Sequence, residues 1–356
     1  MRMRRRRINR GTARGPVAPG RGTNVTHYRR GGSRGSVLLY VVWIVLLLSL
    51  FASGVGSRAL FALDLSDRLL EQLRAGYIAR GAVQSAALVL ARDPLTAVDG
   101  LNDPWADAPG LFQDQRLAGG RFTILAEATG EEGARYGLTD EERWLNLNTA
   151  PAKVLQRLGE TVGGLRERQA IELAAAIEDW RDEDHDERPF GAEGFYYRSL
   201  SDAYDCKDGP FENVEELLLV RGVTPDLYRR LNPYLTVQGS GQVNLNTAGP
   251  EVLRALGLSE VGVAGVRYFR AGEDNQEGTS DDRQLVSVAG MESEWTNYVP
   301  AEDLAALKQL ADEQLFAVRS TAFRMSIDAH TEHPSSRMRV SCVIDREGTV
   351  KAWTEW

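Results

Sequence analysis

The stretch DWRDEDHDERPFGAEGFYY, beginning at Asp179, sets Asp179, Asp182, Asp184, Asp186 and Glu193 within fifteen residues of one another. Like charges at that density repel unless water or a cation neutralises them. Oxygen donors at short spacing, with a glycine to allow a turn, suit a hard cation, calcium before any soft metal. The spacing is not that of an EF-hand, so a solvated acidic loop is the alternative. A second loop, AGEDNQEGTSDDRQ from Ala271, arranges Asp274, Asn275, Glu277, Asp281 and Asp282 around Gly278. It carries the same two readings and is the weaker calcium candidate. His185 stands in the first cluster, but zinc asks for more His or Cys, and the chain has four His and two Cys.

Other chemistry is not signalled. The sequence has no Gly-x-Ser-x-Gly elbow, phosphate loop or HExxH helix, and nothing in it buries a carboxylate pair for acid–base work. The reading is a non-enzyme. Cys206 and Cys342 allow one disulfide in an oxidising compartment, and the sequence does not say whether they meet. Eleven arginines and no acid lie in residues 1–35, and with the whole chain at −8 this leaves −19 on the remainder. So acidic a body is a poor partner for phosphate backbones.

The elements that would carry these clusters begin with a membrane-length run. From Ser36 to Val55, SVLLYVVWIVLLLSLFASGV contains no charged residue, enough to cross a hydrocarbon core of about 30 Å. The basic flank precedes it, which predicts residues 1–35 in the cytoplasm and everything after Val55 outside the inner membrane. Helical spacing continues through Leu65, Leu69, Leu73, Ile78, Val83, Ala87 and Leu90 until Pro94. One helix of about 58 residues would be about 87 Å long. The combination resembles the type IV pilin class, in which a membrane prepilin peptidase cuts after the glycine of a basic leader. That resemblance places the cut between Gly35 and Ser36, with methylation of the new terminus a further expectation. The chain departs from the class in having Ser36 first and Tyr40 fifth, where most pilins have Glu. A carboxylate in lipid needs a partner. A subunit with none ahead of it needs no such carboxylate, so Tyr40 fits a filament tip.

RFTILAEATG and ARYGLTDEERWLNLN read as strands, as do QLFAVRSTAFRMSIDAH and RMRVSCVIDREGTVKAWTEW with Asp345–Gly348 as their hairpin turn. Strand material therefore flanks a long helical middle. Within it, LNLNTAPAKVLQRL from Leu145 returns as VNLNTAGPEVLRAL from Val243, 98 residues later. Thr149 and Thr247 are the expected N-caps, and the preceding asparagines can form Asx turns. ENVEELLLVRGVTPDLYRRLNPYLTV reads as helix, hairpin, helix. Such units often bind DNA, which makes a membrane-anchored DNA-uptake protein the competing reading.

Taken in order, RGSVLLYVVWIVLLLSL, LTDEERWLNLNTAP, DWRDEDHDERPFGAEGFYY, VEELLLVRGVTPDLY and VNLNTAGPEVLRAL resemble the K-type minor pseudopilins of type II secretion systems. The resemblance implies an α+β fold: a pilin-like long N-terminal helix on a small antiparallel sheet, with a large inserted α-helical domain of two helix-hairpin-helix (SAM-like) units. The implied boundaries are a leader at 1–35, a transmembrane segment at 36–55, a body at 56–145, the insertion at 146–312 and closing strands at 313–356. It implies minor pseudopilins of I and J type, the major pseudopilin, the prepilin peptidase and an inner-membrane secretion platform as partners, with no nucleic acid. The subunit would sit in the inner membrane with its bulk in the periplasm, then at the pseudopilus tip. The family binds calcium in its α-domain, which selects Asp182, Asp184 and Glu193 as first ligands. Intact mass and N-terminal sequencing of chain extracted from membranes should give a start at Ser36; a start at Met1 or Arg2 makes the apolar run a permanent anchor.

Overall fold

The computed structural model describes residues 36–92, 98–127, 134–332 and 336–356. The Arg-rich leader with Gly35, Pro94, and the end of RFTILAEATG lie outside them. Helix α1 (Ser36–Arg92) is followed by a single turn, α2 (Pro109–Phe112), then strands β1 (Gln115–Leu117), β2 (Gly120–Leu125) and β3 (Thr139–Asp140). The helical region comprises β4 (Leu145–Asn146), α3 (Ala152–Thr161), α4 (Glu167–Arg181), α5 (Gly194–Arg198), α6 (Pro225–Leu231) and β5 (Leu235–Thr236). It continues through β6 (Val243–Asn244), α7 (Pro250–Ala255), α8 (Glu260–Arg270), α9 (Met291–Trp295), α10 (Ala301–Asp312) and β7 (Phe316–Ala317). The chain returns as β8 (Ala322–Thr331), β9 (Arg337–Asp345) and β10 (Val350–Glu355).

The sheet is antiparallel in the order β1-β2-β8-β9-β10, with β3 also on β8. Alternation along β8 buries Phe323, Met325, Ile327 and Ala329. They share a core with Ile78, Ala79, Ala82, Val83, Ala86 and Leu90 of α1. The hairpin turn is where the sequence puts it: the Gly348 amide donates to the Asp345 carbonyl at 3.0 Å, and Gly348 takes the left-handed φ of +80°. The expected stripe along α1 breaks in two. Leu65, Leu69 and Leu73 are exposed, whereas Ile78, Val83 and Leu90 are buried. Val83 lies about five full turns after Leu65 and so on the same side of the helix; position along α1, not the side faced, separates the buried set from the exposed one.

The helical region is built twice on one plan. Each half opens with a two-residue strand and closes with a parallel partner, Leu145 beside Leu235 in the first and Val243 beside Phe316 in the second. Asn146 and Asn244 each accept, at Oδ1, the amide two residues on, the expected Asx turn. Asn148 clasps the backbone of Phe211 through both its donor and its acceptor, and Asn246 does the same to Leu285. Arg181, ending α4, donates to the carbonyls of Leu147 and Ala150; Arg270, ending α8, donates to those of Leu245 and Ala248. The halves meet where α3 packs on α7, and one buried cluster runs from Leu145 to Phe316.

Two local expectations change. The caps of α3 and α7 are Pro151 and Gly249. Thr149 donates instead to the Gly241 carbonyl, and Thr247 to Asp140. The leading arm of the expected hairpin unit is a 3-10 helix, Val214–Leu219. Six residues are too few to nucleate a stable α-helix alone, and the Leu219 carbonyl is taken by the Tyr204 hydroxyl at 2.6 Å. Cys206 lies in the helical core and Cys342 in the sheet core, both as free thiols. Separate cores keep them from pairing, and burial pushes each thiol up to about 12.

Sheet and helical region are joined at Asp140-Glu141-Glu142, all at most 1% exposed. Asp140 accepts from Asn244 at 3.0 Å and from Thr247 in the second half. Glu141 accepts from Thr236 in the first half and from Arg324 on β8. Glu142 accepts from the amides of Ser240, between the halves, and of Thr321, entering β8, both at 3.0 Å. Burial, with Glu142 and Asp99 adding negative charge, raises the Asp140 carboxyl from 3.8 to about 8. The folded chain then holds a proton that the unfolded chain releases near pH 4, so stability contributed here is full below about pH 4 and falls towards pH 8. Thermal melts of the full chain in detergent should show that decline. In Asp140→Asn the slope should flatten by up to about 1.4 kcal/mol per pH unit, on top of a uniform loss of about 1–3 kcal/mol for the mismatched donors. An unchanged slope would remove Asp140 as the cause.

Candidate metal centre in the first acidic loop

The first acidic loop leaves the end of α4, whose last turn is fixed from two sides. Trp180 is buried in edge contact with Tyr197, ring centroids 5.1 Å apart, and close to Tyr204 and Phe211. Arg181 clamps the repeated Asn-Thr-Ala turn. From this footing the loop separates the five predicted ligands into two roles.

Asp179 and Asp186 join no three-ligand group among the described residues. Asp179 is 0% exposed and accepts the Arg188 amide at 3.3 Å and its guanidinium at 3.1 Å. Its carboxyl is raised, burial outweighing those bonds. A side chain on Gly191 would meet Asp179 Oδ2 at 1.9 Å. Gly191 is thus required for close approach, and the left-handed residue of the turn is its neighbour Phe190, at φ 72°. Asp186 is exposed, and its amide donates to Asp184 Oδ1 at 2.9 Å.

Asp182, Asp184 and Glu193 do converge, each offering an oxygen within 4.8 Å of the others. A second group under the same limit is His185, Glu193 and Asp208. Asp182 Oδ1, Glu193 Oε1 and Asp208 Oδ1 are buried and have no hydrogen-bond partner. Three such oxygens are costly without a counter-charge. Burial and the neighbouring Asp208, Asp179 and Asp182 raise the Glu193 carboxyl from 4.5 to about 6. Arg188 supplies part of the compensation, reaching Asp182 and, at 3.4 Å, Glu178. The orphaned atoms fit a cation with oxygen ligands: calcium would be held by Asp182, Asp184 and Glu193, with Asp208 beside them.

Asp208 carries no signal in the sequence. It lies fifteen residues beyond Glu193 and is brought back by Cys206 Sγ against the Asp179 carbonyl at 3.8 Å and the Gly209 amide on the Trp180 carbonyl at 3.4 Å.

The second loop occupies the matching position after Arg270, but its acids serve its own backbone. Asp281 accepts the amides of Glu273 and Asp274 at 2.6 and 3.1 Å. These bonds, led by that from Thr279, hold it down to about 2. Asp282 accepts from Gly278 at 2.7 Å, and Asp274 from Gln276 at 2.8 Å. Glu277 pairs with Arg267 and Arg270. Asp274, Asp281 and Asp282 join no three-ligand group among the described residues.

Known proteins match this arrangement. The family model for type II secretion system (T2SS) protein K covers residues 129–240, from before β3 to past β5. Type II secretion system protein K of Klebsiella pneumoniae is 32% identical over 237 residues, 61% of this chain and 67% of that protein. Its counterpart in Aeromonas hydrophila is 30% identical over 247 residues, 66% of this chain and 73% of that one. The crystal structure of the GspK-GspI-GspJ complex from the enterotoxigenic Escherichia coli type 2 secretion system superposes with a TM-score of 0.58 at 18% identity. That match covers 84% of this chain and 99% of the other, and establishes the same fold. With relatives at 32% and 30% identity matched over 67% and 73% of their length, the chain belongs to the type II secretion system protein K family of minor pseudopilins.

Proposed function

We propose that this chain is the tip subunit of a type II secretion pseudopilus, assembling with minor pseudopilins of I and J type to begin the filament that exports folded proteins. The observation that carries this reading is the state of α1. Every large apolar residue from Val37 through Leu73 is exposed, so the apolar span of α1 is wholly unburied. So much bare hydrocarbon is stable only in lipid or against neighbouring helices. The structural relative was solved in complex with GspI and GspJ, which supports minor pseudopilins of those types as the partners of this chain. Single-pass insertion in the inner membrane, with the leader cytoplasmic and the body periplasmic, is the starting state. Cutting between Gly35 and Ser36 by the prepilin peptidase then frees the helix for the filament. The helical region is too bulky to lie beneath a further subunit, and Tyr40, with no carboxylate to neutralise, suits the leading position. The role is assembly, not catalysis.

Calcium in the first acidic loop belongs to the same proposal. Its double charge would neutralise the clustered carboxylates and hold the loop to the end of α4.

Two experiments bear on this. Tyr40→Glu places an unpaired carboxylate in the apolar helix, and should cut both co-purification with the I- and J-type partners and secretion by roughly tenfold. Unchanged assembly and secretion would remove the argument from the missing carboxylate. For calcium, the full chain in detergent should melt several degrees higher with the ion than with chelator. Glu193→Gln should abolish that shift and raise the calcium-free midpoint, because it deletes a buried charge. Equal midpoints with and without calcium in the native chain would sink the site.

A further inference from the structure

We propose that His185, Glu193 and Asp208 form a site for a borderline divalent metal of the zinc class, sharing Glu193 with the calcium ligands. The inference rests on the calcium reading in one respect, the competition described below; the site itself does not. Counting His and Cys along the chain sets zinc aside, but the count omits what folding adds. The return segment carries Asp208 to the loop, and His185 Nδ1 lies 3.0 Å from Asp208 Oδ2. The donor atoms of all three residues lie within 4.8 Å of one another. Donors about 2.1 Å from a tetrahedral ion stand about 3.4 Å apart, a spacing the group reaches with small side-chain shifts. Glu193 is 4% exposed and its Oε1 has no hydrogen-bond partner. Asp208 Oδ1 is likewise buried without one. Two carboxylates with unsatisfied buried oxygens and an imidazole are therefore gathered within coordinating reach of one another.

The donor chemistry separates the two ions. Calcium takes oxygen and gains nothing from an imidazole, so His185 is idle in a calcium site. One imidazole with two carboxylates suits zinc and leaves a fourth position for water. The His185 side chain is 78% exposed, which gives an ion from solvent a direct path. Glu193 Oε2 already accepts the Gly194 amide at 3.3 Å, leaving Oε1 as the free ligand of both groups. Zinc and calcium then compete for one oxygen, and a loop read as a calcium clamp also senses a second metal.

The test uses the full chain in detergent, melted with zinc chloride, with calcium chloride and with chelator, and titrated with cobalt(II) for visible absorption. Zinc should raise the midpoint by several degrees, cobalt should give the intense band of a four-coordinate site, and each ion should weaken binding of the other. His185→Gln should weaken zinc by about a hundredfold or more and leave the calcium shift intact. Asp184→Asn should do the reverse. Absence of a zinc shift in the native chain, or a zinc shift that survives His185→Gln, overturns the proposal. A zinc response without any calcium response leaves the zinc site standing and removes the calcium reading alone.

Discussion

Three consecutive buried carboxylates hold this molecule together. Asp140 ends β3, Glu141 and Glu142 open the turn that leads to β4, and each reaches a different part of the chain. Asp140 binds the second helical half, Glu141 the first half and β8, Glu142 the segment between the halves and the entry to β8. Carboxylates without donors would be prohibitive at this depth. Here their donors come from residues as far on as Arg324, so the acids are satisfied only when the whole insertion is folded and docked. The geometry also explains how so large an insertion is tolerated. β3 pairs with β8, Asp140 opposite Phe323, so the chain leaves the sheet and re-enters it on adjacent strands. An insertion whose ends already touch costs the sheet little. A fourth acid, Asp99, extends the junction to the last hairpin, accepting from Ser320 at 2.6 Å and pairing with Arg346.

Within the insertion the repeated frame is conserved in its bonds more than in its letters. Arg181 and Arg270 make the same two kinds of carbonyl contact, yet follow helices of different length, fifteen residues in α4 and eleven in α8. Both release an acidic loop from the same place. The loops then diverge in how their oxygens are used. In the second, Asp274, Asp281 and Asp282 accept backbone amides, which lets the loop neutralise itself. In the first, Arg188 gathers Asp179 and Asp182 but leaves oxygens of Asp182, Glu193 and Asp208 without donors. Equal acidity thus yields one self-capped turn and one site with coordinating capacity. Composition cannot separate the two, because the difference lies in which backbone amides point inward.

Much of the fold was legible because it rests on short-range pattern. The repeated Asn-x-Asn-Thr-Ala, the Asp345–Gly348 turn and the apolar run from Ser36 each state their local structure in adjacent residues. That the acids of Asp179–Glu193 crowd one loop was legible in the same way; the choice of Asp182, Asp184 and Glu193 among them came from the family resemblance, and the fold brings those three together. The parts that escaped are long-range. Thr149 and Thr247 look like caps, and only the arrival of the Gly241 carbonyl and of Asp140 diverts their hydroxyls. Asp208 looks like an ordinary turn acid, and only the packing of Cys206 and Gly209 against α4 makes it a neighbour of Glu193. The acids of Thr139–Arg143 sit in a sequence that reads as strand, and nothing local announces that they are buried.

The division of α1 follows from position along the helix as much as from hydrophobicity. Where the helix meets the sheet, Ala79, Ala82 and Ala86 line the contact and are 0% exposed, as is Ala75 just before them. Small side chains let a sheet approach a helix closely, and that closeness fixes the two together. Before Ala75 the alanines give way to Leu65, Leu69 and Leu73, all exposed. Ile78, Val83 and Leu90 are as large yet buried in the sheet core, so size alone does not set the boundary; Leu65, Leu69 and Leu73 are bare because nothing in the described residues packs on them. The large apolar side chains of α1 before Ala75 are thus left without a covering surface. A bilayer supplies one without specificity, and a neighbouring helix supplies one with it. What covers α1 before Ala75 must therefore come from outside the described residues.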